Sequence, residues 1–416
     1  VIRVLYMVWW EGALENPLIH RQVGGLVRAL SQIDGVEVQL LIADAFWKVR
    51  VQDRLRGTHR AMDLNALRDS LPGVTVHVRQ TPIFPRASRW YAKKALMDLL
   101  VLGHAGWIRR LCRREKIDVI HCRSYPATVA ALRSKTGRPV VMDTRGNYPE
   151  EAVVTGAFEH DSADFRSLKT LEAELYENAA AIVSVTDRAS SHIRASGVAT
   201  PTFTVPTSTD QAPFANLPDV PRRGLVYIGA MRTDSLINAA SLLELYLGMR
   251  PHLAEPHLRI VTLSDHEALR AFFGSSGIRE PELELRASRS PQESATLLNE
   301  CRFAALPFQL PPNATPAHEL IGRHILAVKT GEYHAAGLPL LVSERVGGAS
   351  DVVRELGSGV VYGSDTDWPA VMNQLQTNYQ AASAAARAGA ARFDVSEHAR
   401  MYRDIYSSLL PDRISG

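Results

Sequence analysis

Cysteine is scarce: Cys112, Cys122 and Cys301 are all that 416 residues contain, and none stands at metal-ligand spacing from another. A disulfide scaffold and a cysteine-built zinc site are therefore excluded, and a reducing cytoplasm is the expected setting. Charge of one sign is also lacking. A formal net charge of +3 with 46% hydrophobic residues excludes a disordered chain and argues against nucleic acid as a partner. Long hydrophobic runs are missing too. The opening Val1–Trp10 has a charge at Arg3, no small-residue cleavage site and less than half the length of a membrane span, so it reads as a buried strand. No Gly-x-Gly-x-x-Gly follows that strand, where the chain reads Trp9-Trp10-Glu11-Gly12-Ala13-Leu14-Glu15, which disfavours a nicotinamide dehydrogenase. No Gly-x-x-x-x-Gly-Lys-Ser/Thr run is present, so a P-loop nucleotidase has little support.

What the sequence does contain is alternation. Apolar runs of strand length at Arg3–Val8, Val36–Ile42, Val74–Val78, Val119–His121, Pro139–Asp143, Ala181–Val185 and Thr202–Val205 are separated by helical patterns such as Leu18–Ile33, Ala127–Lys135 and Phe165–Ala179. This is the pattern of a parallel sheet covered on both faces. Pro206, Pro213, Pro218 and Pro221 punctuate a stretch with few periodic apolar positions, which suits a linker. A second alternating set begins at Gly224–Gly229 and continues through Asn238–Met249, Leu258–Leu263, Glu267–Phe273, Leu283–Leu285, Pro291–Asn299 and Phe303–Leu306. Two doubly wound α/β domains are expected: 1–205, a linker at 206–222, then 223–392. Tyr402, Ile405, Tyr406 and Leu409 recur at helical spacing and mark an amphipathic terminal helix within 393–416. No internal repeat is visible, and the alanine-rich stretch Ala381–Ala391 is the one low-complexity tract.

The most informative stretch is Leu326–Val353. A short helix carrying Lys329 and Glu332 stops at Gly337, a buried strand follows from Pro339 to Val342, and Gly347-Gly348 opens another helix. One cation, one carboxylate and helix N-terminal amides around a crevice suit a phosphorylated ligand that also offers a sugar hydroxyl. Gly347 and Gly348 read equally as an ordinary turn or as a close backbone approach to ligand. Tyr333 reads as core packing.

Glu332-Tyr333-His334-Ala335-Ala336-Gly337-Leu338-Pro339, followed by Gly347-Gly348, resembles the nucleotide-sugar site of retaining GT-B glycosyltransferases of the family 4 (group 1) type. The resemblance is closest over 224–365 and looser over 1–205. It implies two facing Rossmann-like domains, a last helix that returns to the first domain, and Glu332 binding the ribose hydroxyls, where neighbouring hydroxyls give a carboxylate two donors. It also assigns Arg232, after Tyr227-Ile-Gly-Ala-Met231, to the donor pyrophosphate. An always-charged fork suits that task. Lys329 supplies a second cation in place of the lysine that relatives carry near Ile237 and Asn238. The bland alternatives are a helix-capping Arg232 and a surface Lys329. His324 stands where relatives place a carboxylate facing the transferred sugar, and Gly12 alone represents their Gly-rich loop. Arg21 and Gln22, opening the next helix, face either the diphosphate or solvent.

In the first half, Asp118-Val-Ile-His121-Cys-Arg123 and Val141-Met-Asp143-Thr-Arg145-Gly-Asn-Tyr-Pro-Glu150-Glu151 each run from a buried strand into polar residues. The second resembles an Asp-x-Arg-Gly-x-x-Pro-x-Glu block of a subgroup of these transferases. Relatives carry a catalytic-site histidine at the position of Arg123. Glycosyl transfer builds positive charge on the sugar and negative charge on the departing diphosphate. Arg232 and Lys329 are accordingly expected at the leaving group, with Arg123, Asp143 and Arg145 lining the reaction centre; a structural Asp143–Arg145 ion pair is the competing view.

The expected activity is thus metal-independent, retaining transfer from a UDP- or GDP-linked sugar to a glycan, glycolipid or small natural-product acceptor, with no cofactor beyond that co-substrate. A GT-B-shaped nucleotide-sugar 2-epimerase and a catalytically silent nucleotide-sugar-binding subunit are the alternatives. The stretch 86–116 mixes Trp90, Tyr91 and Trp107 with many Arg and Lys residues. It reads either as a surface that docks peripherally on the inner face of an anionic membrane or as helices with one apolar core face.

Overall fold

A computed structural model describes the chain except residues 12–16, 45–63, 82–93, 232–235 and 411–416, together with the side chains of 17–21, 64–66, 94–100 and 102. It divides into two compact units, Val1–Ser208 with Val395–Gly416, and Thr209–Asp394. The proline-punctuated stretch is split between them. Thr209 begins the second unit, where its N–H donates to Phe393 O at 2.7 Å.

The first unit holds seven parallel strands: β1 (Ile2–Trp9), β2 (Val36–Asp44), β3 (Thr75–Gln80), β4 (Val119–Arg123), β5 (Val140–Asp143), β6 (Ala181–Ser184) and β7 (Thr202–Thr204). Their order is β3-β2-β1-β4-β5-β6-β7. β1 shows why its run is apolar on both sides. Val4, Tyr6 and Val8 enter one core with helices Pro17–Ser31 and Val395–Ser408, while Leu5, Met7 and Trp9 enter the other with helices Lys94–Arg114, Ser124–Arg133 and Ala163–Asn178. The last helix buries Ala399, Tyr402, Ile405 and Tyr406 in the first unit's core, as the spacing of its apolar residues and the family resemblance led one to expect.

The second unit repeats the plan with six parallel strands, β8 (Arg223–Ile228), β9 (Leu258–Val261), β10 (Leu283–Arg286), β11 (Cys301–Leu306), β12 (Leu340–Ser343) and β13 (Gly359–Tyr362), in the order β10-β9-β8-β11-β12-β13. Both sheets thus have the doubly wound order, whose direction reverses between β1 and β4 in one and between β8 and β11 in the other. At such a reversal, adjacent connections leave to opposite faces and open a crevice at the carboxyl ends of the strands.

Candidate functional site

In the second unit the crevice end of β8 closes on Gly229, with φ +135°, a conformation that side chains rarely adopt. A Cβ there would lie 2.7 Å from Lys329 Nζ, so the missing side chain leaves room for the ammonium. That ammonium sits 3.9 Å from the centroid of the Tyr227 ring, which fixes it through a cation–π contact. Among the described residues no carboxylate pairs with it. Glu332, partly exposed, lies one turn further along the helix Lys329–Ala335 and shares its face at i+3.

The helix is anchored by Tyr333. Fully buried, its hydroxyl donates to Ala305 O at 3.2 Å and accepts the Ile228 N–H at 3.0 Å, spanning β11 and β8 where the two strands diverge. Burial pushes its phenol pKa well up, so it stays a neutral donor. Next to it, the His334 Nδ1–H donates to Thr330 O at 2.7 Å, and in the neutral ring Nε2 accepts from the Ser358 hydroxyl at 3.0 Å. Burial lowers its pKa to about 4. Gly337, φ +66°, ends the helix, and the Leu338 N–H returns to Tyr333 O.

Further along the same stretch, helix ends approach each other closely. His324 is buried at the end of helix Pro316–His324. A Cβ on Gly347 would run into the backbone of Arg323, and the Gly348 N–H donates to Ile325 O at 3.1 Å. These glycines let two helix ends meet, and the Gly348 amide is engaged by backbone, in keeping with the turn reading. Gly12 and Arg232 lie outside the described residues, as does the side chain of Arg21.

In the first unit the carboxyl ends of β1, β4 and β5 converge. Of six non-glycine residues with positive φ among those described, three stand here: Trp10 (57°), Ser124 (65°) and Arg145 (58°). Each such position costs roughly 1–3 kcal/mol and persists because its surroundings enforce it, a frequent mark of a functional region. Arg123 Nε donates to Glu11 Oε2 at 2.9 Å, and its Nη2 donates to Gln22 Oε1 at 2.7 Å. Arg145 reaches Asp143 Oδ2 and Gln22 Oε1, both at 3.4 Å. Gln22, read as facing diphosphate or solvent, is thus a bridge between two guanidinium groups.

Asp143 is fully buried. Burial raises its pKa, but Arg145 and His121 oppose this more strongly and hold it at about 2. The Tyr402 hydroxyl donates to its Oδ2 at 3.1 Å, and His121 Nε2 lies 3.6 Å away, long for a hydrogen bond. Burial lowers the His121 pKa and keeps the ring neutral. With Nε2–H toward Asp143, Nδ1 accepts from the Tyr406 hydroxyl at 2.6 Å. An ionised, enclosed Asp143 orients Arg145, so the ion-pair view describes its contacts, and a carboxylate open to the reaction centre does not.

Four buried atoms of this cluster have no hydrogen-bond partner among the described residues: Glu11 Oε1, His121 Nε2, Asp143 Oδ1 and Arg145 Nε. Glu11 was not singled out from sequence. The available signal was its place, a carboxylate directly beyond a buried strand. Its partly covered side chain has a raised pKa, through burial that the Arg123 guanidinium only partly offsets.

Over 101–114 the helix Lys94–Arg114 turns Val101, Ala105, Ile108, Leu111 and Cys112 into the core and leaves Arg110, Arg113 and Arg114 outward. Its apolar face is used by the fold, and 86–93 lies outside the described residues. Among the described residues no helix is long and apolar enough to cross a membrane.

Residues 19–207 match the family model described as a glycosyl transferase 4-like domain. No curated protein matches the sequence significantly. Solved structures of similar fold include a sucrose-phosphate synthase from Thermosynechococcus elongatus (TM-score 0.64, 14% identity, 99% of this chain and 100% of that one). A glycosyltransferase from Rickettsia africae is comparable (0.63, 13%, 99% and 99%), as is Anabaena HepE in complex with UDP (0.62, 14%, 98% and 100%).

Proposed function

On the premise that this chain is a glycosyltransferase with the GT-B fold, carrying a glycosyl transferase 4-like domain over residues 19–207, we propose that it transfers a sugar from a UDP-linked donor to an acceptor hydroxyl. The observation that carries this reading is the Lys329 ammonium, unpaired by any carboxylate among the described residues and held on Tyr227 at the carboxyl end of β8. A diphosphate leaving group gains negative charge as its bond to the sugar lengthens, and a fixed ammonium meets that charge without reorganising. Arg232 joins it at the diphosphate, and Glu332 takes the ribose hydroxyls. The choice of UDP is supported by Anabaena HepE, solved with UDP and with UDP-glucose. Retention of configuration and independence from metal are part of the proposal, as are Gly12 at the donor phosphates and His324 toward the sugar.

Arg123 and Arg145 serve in this reading as a fixed cationic edge of the acceptor side, held by Glu11, Asp143 and Gln22. The acceptor is a glycan, glycolipid or small natural product. A lipid-linked acceptor would be met by the outward Arg110, Arg113 and Arg114 at an anionic cytoplasmic surface, through charge alone. A silent nucleotide-sugar-binding subunit is the second reading, favoured by the mutual pairing of the first unit's charges. Thermal unfolding with UDP, GDP, ADP and TDP tests the donor site: a ligand at about 100 times its Kd stabilises by about 2.7 kcal/mol, so UDP should raise Tm most. Absence of any nucleotide shift removes the donor assignment. UDP release from UDP-sugar that requires acceptor and survives EDTA supports transfer, whereas UDP binding without turnover in any acceptor panel favours the silent subunit.

A further inference from the structure

The second unit has a cavity of about 780 Å³ at the opposite end of its sheet, where β8 and β11 begin. Arg222, Arg223, Glu255, Arg302, Phe303 and Gln376 contribute to its wall. β8 is six residues long, so at about 3.3 Å per residue this wall stands roughly 20 Å from the Lys329 end.

The charges of this wall are unbalanced. Arg222 donates to Gly337 O at 3.2 Å, Ala336 O at 3.0 Å and Asn299 Oδ1 at 2.6 Å, all neutral acceptors. Arg302 lies with its guanidinium carbon 4.4 Å from the Tyr379 ring centroid and 5.6 Å from that of Phe303. Stacking of this kind fixes the plane of the fork and leaves its N–H groups directed edgewise. Arg302 Nε is buried without a hydrogen-bond acceptor among the described residues. Nε itself is closed off from the cavity, but the terminal Nη groups donate to no acceptor among the described residues and stay accessible, so they can meet an acceptor that the cavity admits. Arg223 is exposed at the rim and pairs with no carboxylate among the described residues; Glu255 is the one acidic residue of the wall.

We propose that this cavity is a ligand site separate from the donor end, taking a small phosphorylated, hydroxyl-bearing metabolite. Its phosphate sits against Arg302 and Arg223, with Arg222 adding positive charge behind them, and a hydroxyl donates to Glu255. The guanidinium groups of Arg302 and Arg223 fit a phosphate because each offers paired N–H donors to its oxygens. The volume suits a sugar phosphate and falls within the range of ordinary small-molecule sites. Occupancy has a route to the donor end. Arg222 grips the carbonyls of Ala336 and Gly337, which close the helix bearing Lys329 and Glu332.

Isothermal calorimetry on the full chain with inorganic phosphate and with glucose 6-phosphate provides the test. Both should bind, the sugar phosphate more tightly, and R302Q should weaken both about ten-fold or more. R223Q, at an exposed position with no ion pair to lose among the described residues, should weaken them several-fold and keeps the test valid if R302Q fails to fold. K329M should leave the affinities unchanged. Equal affinities in wild type, R302Q and R223Q overturn the site, and so does loss of binding in K329M, which would place the phosphate at the donor end. Inorganic phosphate binding as tightly as glucose 6-phosphate overturns the hydroxyl-bearing class. None of these outcomes bears on nucleotide binding, so the donor reading stands or falls separately.

Discussion

The two sheets share one strand order, yet their carboxyl ends are chemically opposite. In the first unit the charges of Glu11, Arg123, Arg145 and Asp143 pair with one another, Gln22 bridges the two arginines, and three strained residues stand beside them. In the second unit Lys329 stands on an aromatic face with no counter-ion among the described residues, beside a glycine that gives it room. One end has its charge balance built in; the other leaves a positive charge for something else to neutralise. A doubly wound fold therefore fixes where a site lies, and the pairing of charges decides what the site can receive.

The largest effect expected from breaking this contrast is on the first unit's stability. Asp143→Ala removes one partner of a buried pair and should destabilise by about 3–5 kcal/mol, seen as a fall in the urea midpoint. A loss under about 1 kcal/mol would mean that Arg145 is not held by Asp143. Lys329→Met should do the reverse: little change in unfolding, since about 0.5–1 kcal/mol of cation–π contact is at stake, but kcat lower by about 100-fold or more. A variant with wild-type turnover would remove the ammonium from the leaving-group role.

An acid titration sharpens the comparison further. His334 has a folded pKa of about 4 against an ordinary 6.5, so the unfolded state takes up the proton first. Its contribution is fully present above pH 6.5 and declines as pH falls toward 4, by about 3 kcal/mol in all. Asp143, depressed from 3.8 to about 2, contributes stability that is lost only below about pH 4. His334→Gln should flatten the Tm decline between pH 6.5 and 4; an unaltered slope assigns that decline elsewhere, with the buried His121 the next candidate. The smallest change is expected for Glu332→Gln, which should weaken UDP about ten-fold and narrow the preference for UDP over its 2′-deoxy analogue. A preserved preference would take the ribose contact away from Glu332.

Much of the framework was legible because it rests on local pattern. β1 announces itself by the run Val4–Trp9, apolar on both faces, and the helix Pro291–Asn299 by the Ser290 cap whose side chain accepts the Glu293 N–H. β13 (Gly359–Tyr362) was not read, since four partly buried residues at a sheet edge carry little periodicity. In the candidate sites the residue types were legible and their partners were not. Arg123 and Glu11 are 112 positions apart, and Tyr402 and Asp143 are 259 apart. Tyr402 and Tyr406 were recognisable as the buried face of a helix, while the use of their hydroxyls depends on what lies opposite. The left-handed backbone of Arg145 leaves no trace in residue type, because nothing about an arginine favours it.

The return of Val395–Ser408 to the first unit sets a timetable for synthesis. Tyr402 and Tyr406 each supply a hydrogen bond, to Asp143 and to His121, yet the ribosome makes them only after all of Thr209–Asp394. The first unit to emerge is thus the last to be finished. Throughout the translation of its neighbour it must wait with the core around Tyr6 and His121 uncovered, which makes the nascent chain, rather than the finished protein, the form most dependent on chaperones.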